Sequence, residues 1–366
     1  MPPKKTAEVV RQPPALPAVQ HPRPVSMADI ARKAGVSKNT VSLALRHDAR
    51  IPPATRNRIA SLAAKMGYRA NPTVARLMAE LRLVRTPAFK ATLALFNANN
   101  DARAFSRHPT IPSYVEGCRR RAAQLGYALD EFWLHSEDWK RDSLNRVLKS
   151  RNIQGAVIVG TMTDNHLPAK FLSTCRQFPC VVTGVRTHNP TLSFACVDHH
   201  ALALQAVEHA LRLGYRRPAL VLDSVIDELV EGRFSAGVFV AQQRLPAGDR
   251  TKPFLMLDEA RRDLSCFEAW LDEERPDVIL TLYNVVRHWV EALGRKVPRD
   301  IGMIQLEWRR QQPEWAGMNQ HNDLVGEAAV DMLVGMLHRG EKGVPVSARA
   351  TLIDSTWVDG NTVKRR

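Results

Sequence analysis

Apolar and polar positions between Ser26 and Leu45 (SMADIARKAGVSKNTVSLAL) follow a helical period that breaks once, at Gly35. A glycine there suits the left-handed backbone that closes a helix, because it has no Cβ to clash. Ser37 follows as an N-cap whose hydroxyl accepts from the first free amides of a second helix. The pattern therefore predicts two short helices joined by a tight turn. The positions at core spacing are Ile30, Ala31, Ala34, Val36, Val41, Ala44 and Leu45.

The outer face of the second helix is polar. It carries Lys38, Asn39, Thr40 and Ser42, all side chains that form hydrogen bonds. A short turn followed by a helix with such a face is typical of a helix-turn-helix that enters the DNA major groove. The alternative is a small helical domain in which the Gly-Val-Ser turn serves packing alone.

Two more helices are predicted after this pair. Pro53 opens a third helix over about 54–66, and Gly67-Tyr68 closes it. Asn71-Pro72 is a second start signal, followed by the short segment TVARLMAEL. A helix this short is marginal alone in water, so we expect it to need a partner helix or DNA to form.

From Lys90 onwards, apolar runs alternate with amphipathic helical stretches. This alternation is typical of α/β domains with parallel sheets, and two consecutive halves of similar composition predict two sheets. Ligands of such sheets bind beyond the carboxyl ends of the strands, so the cleft between the halves is the expected binding site. The predicted strands are Ala91–Phe96, Ala156–Val159, Cys180–Thr183, Ala219–Leu222, Phe254–Leu257, Val278–Leu282 and Gly302–Leu306, and the clearest helices are Tyr114–Leu125, Leu202–Leu213 and Val286–Leu293.

The positive charge of the chain is concentrated near its beginning. The formal net charge is +15, and residues 1–86 hold 16 Lys and Arg against 4 Asp and Glu, which is +12. The other 280 residues hold 36 against 33, which is only +3. A nearly neutral body with a basic head is the electrostatic pattern of a nucleic-acid binder. A membrane surface is disfavoured because no helix of the head has a clean apolar stripe beneath its cations.

Other classes of protein lack their expected signals. The first two dozen residues have no continuous apolar run, so no secretory signal is expected, and no stretch reaches the length of a membrane span. Five cysteines without CxxC spacing fit a reduced, cytosolic setting. His199, His200 and His209 lack an acidic partner at matching spacing for a metal site, and no nucleophile elbow or GxGxxG turn is present, so we expect neither an enzyme nor a cofactor.

From about residue 25 to its end, the chain resembles the LacI/GalR (lactose-repressor) family of bacterial transcription regulators. DIARKAGVSKNTVSLAL is similar to the family's helix-turn-helix, and MGYRANPTVARLM is similar to its hinge helix. Looser likenesses are VDHHALALQAVEHALRLGYRRPALV, EGRFSAG, VPRDIGMIQLEW and WAGMNQHNDLVGEAAVDMLVGML. The resemblance implies an all-α helix-turn-helix head and hinge helix, followed by a periplasmic-binding-protein-like type I α/β effector domain of two parallel-sheet subdomains.

The implied organisation runs from tail to effector domain. We expect a disordered basic, proline-rich tail over 1–24, a DNA-binding domain over 25–70, a hinge helix and linker over 71–86, and an effector and dimerisation domain over 87–363. Within that last domain, the expected N-subdomain is about 90–197 plus 314–338, and the C-subdomain about 198–313 plus 339–363.

By position, the resemblance implies that Lys38 and Asn39 read base edges. Their chemistry agrees, because lysine donates to guanine and asparagine pairs with adenine. Leu43 stands where the family often has arginine, so a contact to a thymine methyl is expected there instead. Ser26, Ser37, Thr40, Ser42, Arg46, Thr55 and Tyr68 would hold phosphates. Pro52 replaces a polar cap before the third helix and removes a phosphate contact.

In the hinge segment, the family inserts an apolar residue into the minor groove. Met78 is at that position, with Leu77 before it, and Arg76 is placed to reach the minor groove or a phosphate. The alternative is that Leu77 and Met78 only pair two hinge helices with each other.

For the effector, the resemblance assigns Arg233 to a ligand hydroxyl or carboxylate. Asn97 and Asn100 follow the first predicted strand, and Asn284 matches a family asparagine, although Val285 replaces the aspartate that follows it. Glu307 and Trp308 end a late strand, where an aromatic face stacks on sugars. Each of these six residues has the alternative of a surface or interface role. The segment 97–112 is also longer than the family's usual loop.

The sequence therefore predicts a cytoplasmic repressor, associated with the nucleoid when bound, that binds palindromic double-stranded DNA as a homodimer. A small-molecule effector, a sugar or related metabolite, is expected to control it. We expect a dimer rather than a tetramer because the chain ends without leucine heptads. The alternative function is a soluble periplasmic-type sugar-binding protein without a DNA role.

Overall fold

The computed structural model of the protein describes residues 25–45, 50–68, 89–139 and 143–366. It divides the chain into two compact units, Met1–Ala79 and Glu80–Arg366. In the described part of the first unit, the helices are α1 Met27–Ala34, α2 Lys38–Leu45 and α3 Pro53–Lys65. The predicted hinge helix lies outside the described residues.

The head is built as its local sequence signals predict. Gly35 closes α1 with a φ of 68°, and its N–H donates to the carbonyl of Ala31. The backbone N–H of Thr40 donates to Ser37 Oγ at 3.0 Å, so Ser37 caps α2. Most of the predicted core-facing positions are buried or pack against the core. The fully enclosed side chains are Ile30, Ala31, Val41, Ala44, Ile59 and Ala63.

The described residues of the second unit form two sheets. The first has six parallel strands in the order β10-β5-β4-β3-β1-β2. These strands are β1 Ala91–Asn97, β2 Tyr127–Trp133, β3 Ile153–Val159, β4 Cys180–Thr183, β5 Ser193–Val197 and β10 Ala350–Ile353. Four of the six are almost wholly apolar and buried, which is why their sequences read as continuous hydrophobic runs rather than alternating ones.

The second sheet has the order β11-β9-β8-β7-β6, parallel except for the antiparallel pairing of β11 with β9. Its strands are β6 Pro218–Val221, β7 Val278–Thr281, β8 Gly302–Gln305, β9 Ala316–Asn319 and β11 Thr356–Val358. Helices cover both sheets. They are α4 Ala104–Arg107, α5 Ile111–Leu125, α6 Ser143–Ser150, α7 Leu172–Gln177, α8 His199–Arg212, α9 Ser224–Leu229, α10 Arg233–Gln242, α11 Leu257–Arg262, α12 Ser265–Glu274, α13 Val285–Ala292 and α14 Asn322–Arg339.

The chain passes between the two sheets three times: after β5, after β9 and after β10. These crossings differ from the predicted subdomain boundaries. Ala316–Asn319 belongs to the second sheet, although 314–338 was predicted for the N-subdomain, and Ala350–Ile353 belongs to the first sheet, although 339–363 was predicted for the C-subdomain. The resemblance of the segment around α14 does not show to which sheet the short strands before and after that helix belong, because strand pairing decides it.

One predicted strand is wrong. Phe254 forms only an isolated bridge with Val221, and Leu257 begins α11 instead of ending a strand. An apolar run of four residues does not by itself distinguish a strand from the buried start of a helix. Conversely, β2 was missed because it is an edge strand in which Asp130 and Glu131 interrupt the apolar pattern.

Helices α5 and α14 lie on the first sheet and cross at two glycines. A Cβ on Gly117 would lie 1.9 Å from the carbonyl oxygen of Asp323, and one on Gly326 would lie 2.2 Å from that of Tyr114. The two backbones are therefore in direct contact, which only glycine permits. This contact fixes the position of the start of α14. The chain reaches this point directly after it has passed from β9 of the second sheet to the first sheet.

Candidate DNA-binding surface and ligand cleft

The outer face of α2 presents two of the three residues predicted to read bases. Lys38 is exposed, and Leu43 is half-buried without joining the head core. An amphipathic helix leaves such side chains outside because the opposite stripe, with Val41 and Ala44, supplies the core. Asn39 lies on α2, but its side chain is outside the described residues.

Several predicted phosphate contacts have hydroxyl groups that already form local bonds. Ser26 Oγ donates to Asp29 Oδ2 at 2.6 Å, and the backbone N–H of Asp29 donates to Ser26 Oγ, which completes a capping box. Ser37 Oγ lies 2.8 Å from Thr40 Oγ1. These hydrogen bonds hold the first turns of the helices. A phosphate would therefore have to bind hydroxyl groups that already form hydrogen bonds within the protein.

Three further residues predicted to contact phosphates lie in the described head. Thr55 lies in the first turn of α3, Ser42 on α2 is half-buried, and Tyr68 packs partly against the head core. Arg46 lies outside the described residues, as do Arg76, Leu77 and Met78. The described head carries seven Lys and Arg but only Asp29 as an acid, and Arg32 lies 3.4 Å from that carboxylate. This is the charge balance of a surface that attracts phosphate.

Except for Arg233, the predicted ligand residues of the second unit lie at or just after the carboxyl ends of strands, where parallel sheets place their sites. Two of them have side-chain amides that already form hydrogen bonds within the protein. Asn97 is buried, and its Nδ2 donates to the carbonyls of Asp101 and Ala102 while its Oδ1 accepts from Asn99 N–H. These bonds shape the turn after β1. Asn100 in the same turn is exposed.

Asn284 is likewise occupied. Its Nδ2 donates to Gln312 Oε1 at 2.7 Å, and its Oδ1 accepts from Gln305 Nε2 at 2.8 Å. The asparagine thus links the ends of β7 and β8. Both ends of its amide are bonded to glutamines of the protein. The prediction that Asn97 and Asn284 contact a ligand finds no support in these contacts.

Glu307 and Trp308 line a cavity of about 840 Å³. The Glu307 side chain is only 11% exposed, and its Oε2 lies 2.6 Å from Arg309 Nη2. Its carboxylate also accepts from Thr110 Oγ1 at 3.1 Å and from Asn322 Nδ2 at 3.2 Å. Thr110 precedes α5 on the first sheet and Glu307 follows β8 of the second, so this cluster joins the two halves of the unit.

Around the same cavity, buried polar atoms have no hydrogen-bond partner among the described residues. They include Trp308 Nε1, Arg309 Nε and Asn322 Oδ1. His108 also lines the cavity, and its Nδ1 accepts from the backbone N–H groups of Thr110 and Ile111. Burial lowers the pKa of His108, and the nearby Arg309 guanidinium lowers it further. The wall therefore offers donors and one acceptor to a polar ligand of moderate size.

Arg233 begins α10 and belongs to a different cluster in the cleft. Its Nη2 donates to Glu231 Oε2 at 2.9 Å, and its Nη1 lies 3.8 Å from Cys196 Sγ at the end of β5. Arg186, in the loop after β4, approaches the same Glu231 carboxylate at 3.2 Å. Sequence reasoning missed Arg186, Thr110 and Arg309 because no motif or spacing marks them. It also missed Glu231, which opens the EGRFSAG segment, because the resemblance of that segment pointed to Arg233 alone.

No group of three or more His, Cys, Asp or Glu side chains in the described ranges could hold a metal ion. None of the helices in the same residues is long and apolar enough to cross a membrane.

Comparison with known proteins supports the resemblance read from the sequence. Residues 26–71 match the family model described as bacterial regulatory proteins, lacI family. The chain is 25% identical over 346 residues to the HTH-type transcriptional regulator PtxS of Pseudomonas putida, an alignment that covers 90% of this chain and 94% of that protein.

Solved structures agree with the fold. A transcriptional regulator CelR–cellobiose complex matches with a TM-score of 0.54 and 18% identity over 93% of this chain and all of that one. The lac repressor dimer bound to operator and the anti-inducer ONPF matches with the same TM-score, identity and coverage. The described helices of the head and the two largely parallel sheets of the second unit therefore match a helical head followed by a periplasmic-binding-protein-like fold.

Proposed function

We propose that the chain is a transcriptional regulator of the lacI family. In this proposal it binds a palindromic operator as a homodimer and represses transcription under the control of a small sugar-like effector. The protein acts in the bacterial cytoplasm, on the nucleoid when bound, and has no catalytic role. The observation that carries this proposal is the outer face of α2, where Lys38 is exposed on a head with seven cations and one acid among its described residues.

In this proposal the head reads DNA in two ways. Lys38, Asn39 and Leu43 enter the major groove, and the seven cations of the described head supply a sequence-independent attraction to phosphates. Arg76, Leu77 and Met78 in the hinge segment contact the minor groove. A dimer presents two such heads, so its operator repeats one half-site with inverted symmetry.

The test is selection of binding sites from random duplexes by the full-length protein, followed by footprinting. Recovery of an inverted repeat whose half-sites are about one helical turn apart would support the proposal. Binding without sequence preference would contradict it. No DNA binding, together with stabilisation by a sugar, would instead favour the alternative of a binding protein without a DNA role.

For the effector, we propose the cleft between the two sheets as the binding site, with Arg233, Glu307 and Trp308 in its wall. Contacts already cross this cleft, such as the hydrogen bond from Thr110 to Glu307 and one from Asn165 Nδ2 to the carbonyl of Leu229 at 3.1 Å. A ligand that forms new contacts with both halves shifts the equilibrium between two relative positions of the sheets. By linkage, operator affinity changes by the same coupling free energy.

A thermal-shift screen of sugars and related metabolites with the full-length protein tests this part. Each compound that raises the melting temperature is then added to an operator-binding titration. A change in operator affinity in either direction supports effector control. A ligand that stabilises the protein and leaves operator affinity unchanged contradicts it.

A further inference from the structure

Two loops of the first sheet meet beside the start of α10. The loop after β3 and the loop after β4 are joined by a bridge between His166 and His188, and the backbone N–H of His188 donates to the carbonyl of Asn165 at 2.9 Å. Paired loops of this kind hold their side chains in fixed positions at the carboxyl ends of the strands. Arg186 is one of those side chains, and it points to the opposite half of the cleft.

On the opposite half, Glu231 faces two guanidinium groups. Its Oε2 accepts from Arg233 Nη2 at 2.9 Å, and its Oε1 lies 3.2 Å from Arg186 Nε and 3.9 Å from His188 Nε2. The glutamate has a φ of 60° and is followed by Gly232 at 71°, so a side-chain residue occupies the left-handed region there. Such a conformation is costly for glutamate and persists where surrounding contacts hold it.

Buried polar atoms near this carboxylate lack hydrogen-bond partners among the described residues. Arg186 Nε is buried and makes no hydrogen bond of good geometry in the described part of the chain, and Asn165 Oδ1 is buried without a partner there. His199 begins α8 beside Arg233, is 6% exposed, and its Nδ1 likewise has no partner among those residues. At this contact two arginines share the single carboxylate of Glu231.

We propose that Arg186 and Arg233 form a binding site for a carboxylate, that Glu231 occupies this site in the absence of ligand, and that the effector is an acidic sugar. The inference rests on the proposed function, since it names the chemical class of the effector. A ligand carboxylate takes one guanidinium from Glu231 and leaves the other paired with it, so two cations then face two anions. The exchange of one carboxylate for another conserves the charge-assisted hydrogen bonds.

A neutral sugar is a poor substitute at this point. Its hydroxyl groups accept hydrogen bonds but carry no negative charge, so a hydroxyl in place of a carboxylate leaves the guanidinium charge uncompensated in a partly dehydrated cleft. The cleft therefore discriminates by charge rather than by the pattern of hydroxyl groups alone.

The experiment compares matched pairs of probes on the full-length protein: D-glucuronate with D-glucose, and D-galacturonate with D-galactose. Thermal shift and calorimetric titration are the readouts. At least one acid should bind roughly tenfold or more tightly than its neutral parent, the range expected for a hydrogen bond to a charged group. If neither acid is preferred over its parent, the inference is wrong.

Variants then locate the preference. Arg233→Met should remove it, whereas Arg244→Met should not, because Arg244 is an exposed arginine that pairs only with Glu208 among the contacts described. Glu231→Gln frees both guanidinium groups and should strengthen acid binding severalfold, while Glu228→Gln, an equal change of charge on the neighbouring turn, should have no effect. Equal binding by the Glu231→Gln and Glu228→Gln proteins would show that Glu231 does not compete with the ligand.

Operator selection on the same samples separates the two proposals. Sequence-specific DNA binding without any acid preference would overturn the acidic effector and leave the regulator intact. An acid preference without sequence-specific DNA binding would overturn the proposed function while retaining the carboxylate site.

Discussion

Thr110 and Glu307 are 197 residues apart in the chain, and the hydroxyl of the threonine donates to the carboxylate of the glutamate at 3.1 Å. The bond joins the segment before α5 to the end of β8, and therefore one sheet to the other. The same carboxylate is paired with Arg309 and accepts from Asn322, which begins α14 after the chain has passed from the second sheet to the first. Glu307 is thus a meeting point of three parts of the second unit.

Glu307→Gln should destabilise the protein by about 1–3 kcal/mol, because it leaves the Arg309 guanidinium without its charged partner in a poorly hydrated site. Urea unfolding at neutral pH measures the change. The matched control is Glu291→Gln, which breaks an exposed pair with Arg287 within one helix and should cost less than about 0.5 kcal/mol. Equal costs for the two variants would show that burial of the Glu307 pair contributes nothing.

His199 gives the protein a dependence of stability on pH. Burial, with a smaller contribution from the Arg233 guanidinium, lowers its pKa from 6.5 to about 4. Below pH 6.5 this histidine is protonated in the unfolded chain, whereas in the native state it stays neutral until about pH 4. The native state is therefore most favoured above pH 6.5, and its free energy of unfolding decreases as the pH falls from 6.5 to 4. The loss is on the order of 3 kcal/mol.

The measurement is the free energy of unfolding of wild type and His199→Gln at several values between pH 7.5 and pH 4.5. As the pH falls, wild type should lose free energy of unfolding faster than the variant, because only wild type carries the titrating histidine at this position. His288→Gln, a change at a histidine of α13, is the control. A constant difference between wild type and His199→Gln across the range would contradict the prediction.

Gly326→Ala should lower stability by several kcal/mol, because its new Cβ would lie 2.2 Å from the carbonyl oxygen of Tyr114 and force two helices apart. Gly335→Ala on the same helix is the control. Its Cβ would meet only the end of the Arg339 side chain at 3.1 Å, which can move, and alanine favours the helix by about 1 kcal/mol. Thermal unfolding should therefore separate the two variants by the sign of the change.

Asn39→Ala should relax specificity at one symmetric base pair of the selected operator, at a cost of about 1–3 kcal/mol per half-site. Binding to a panel of single-base operator variants measures the effect. Asn57→Ala makes the same change on the exposed side of α3 and should leave the order of preferences intact. A uniform loss of affinity across the panel would instead make Asn39 a backbone contact.

The head was predictable because its signals are local. Gly35 and Ser37 act on the residues next to them, and both are found in the predicted roles. The ligand cleft was less predictable because its partners come from distant segments. Asn97 and Asn284 follow strands as expected, yet nearby carbonyls and two glutamines take up their amides. Nothing in the local pattern around Arg186 indicates that a glutamate from the other sheet meets it.

The three crossings between the sheets have a mechanical consequence. A single connection would let the halves swing in any direction and would allow one proteolytic cut to separate them. Three short connections act together as a leaf hinge, which bends about one axis and resists both twisting and stretching. A nick in any one of them leaves two covalent links, and neither half corresponds to one continuous piece of gene that could be expressed alone.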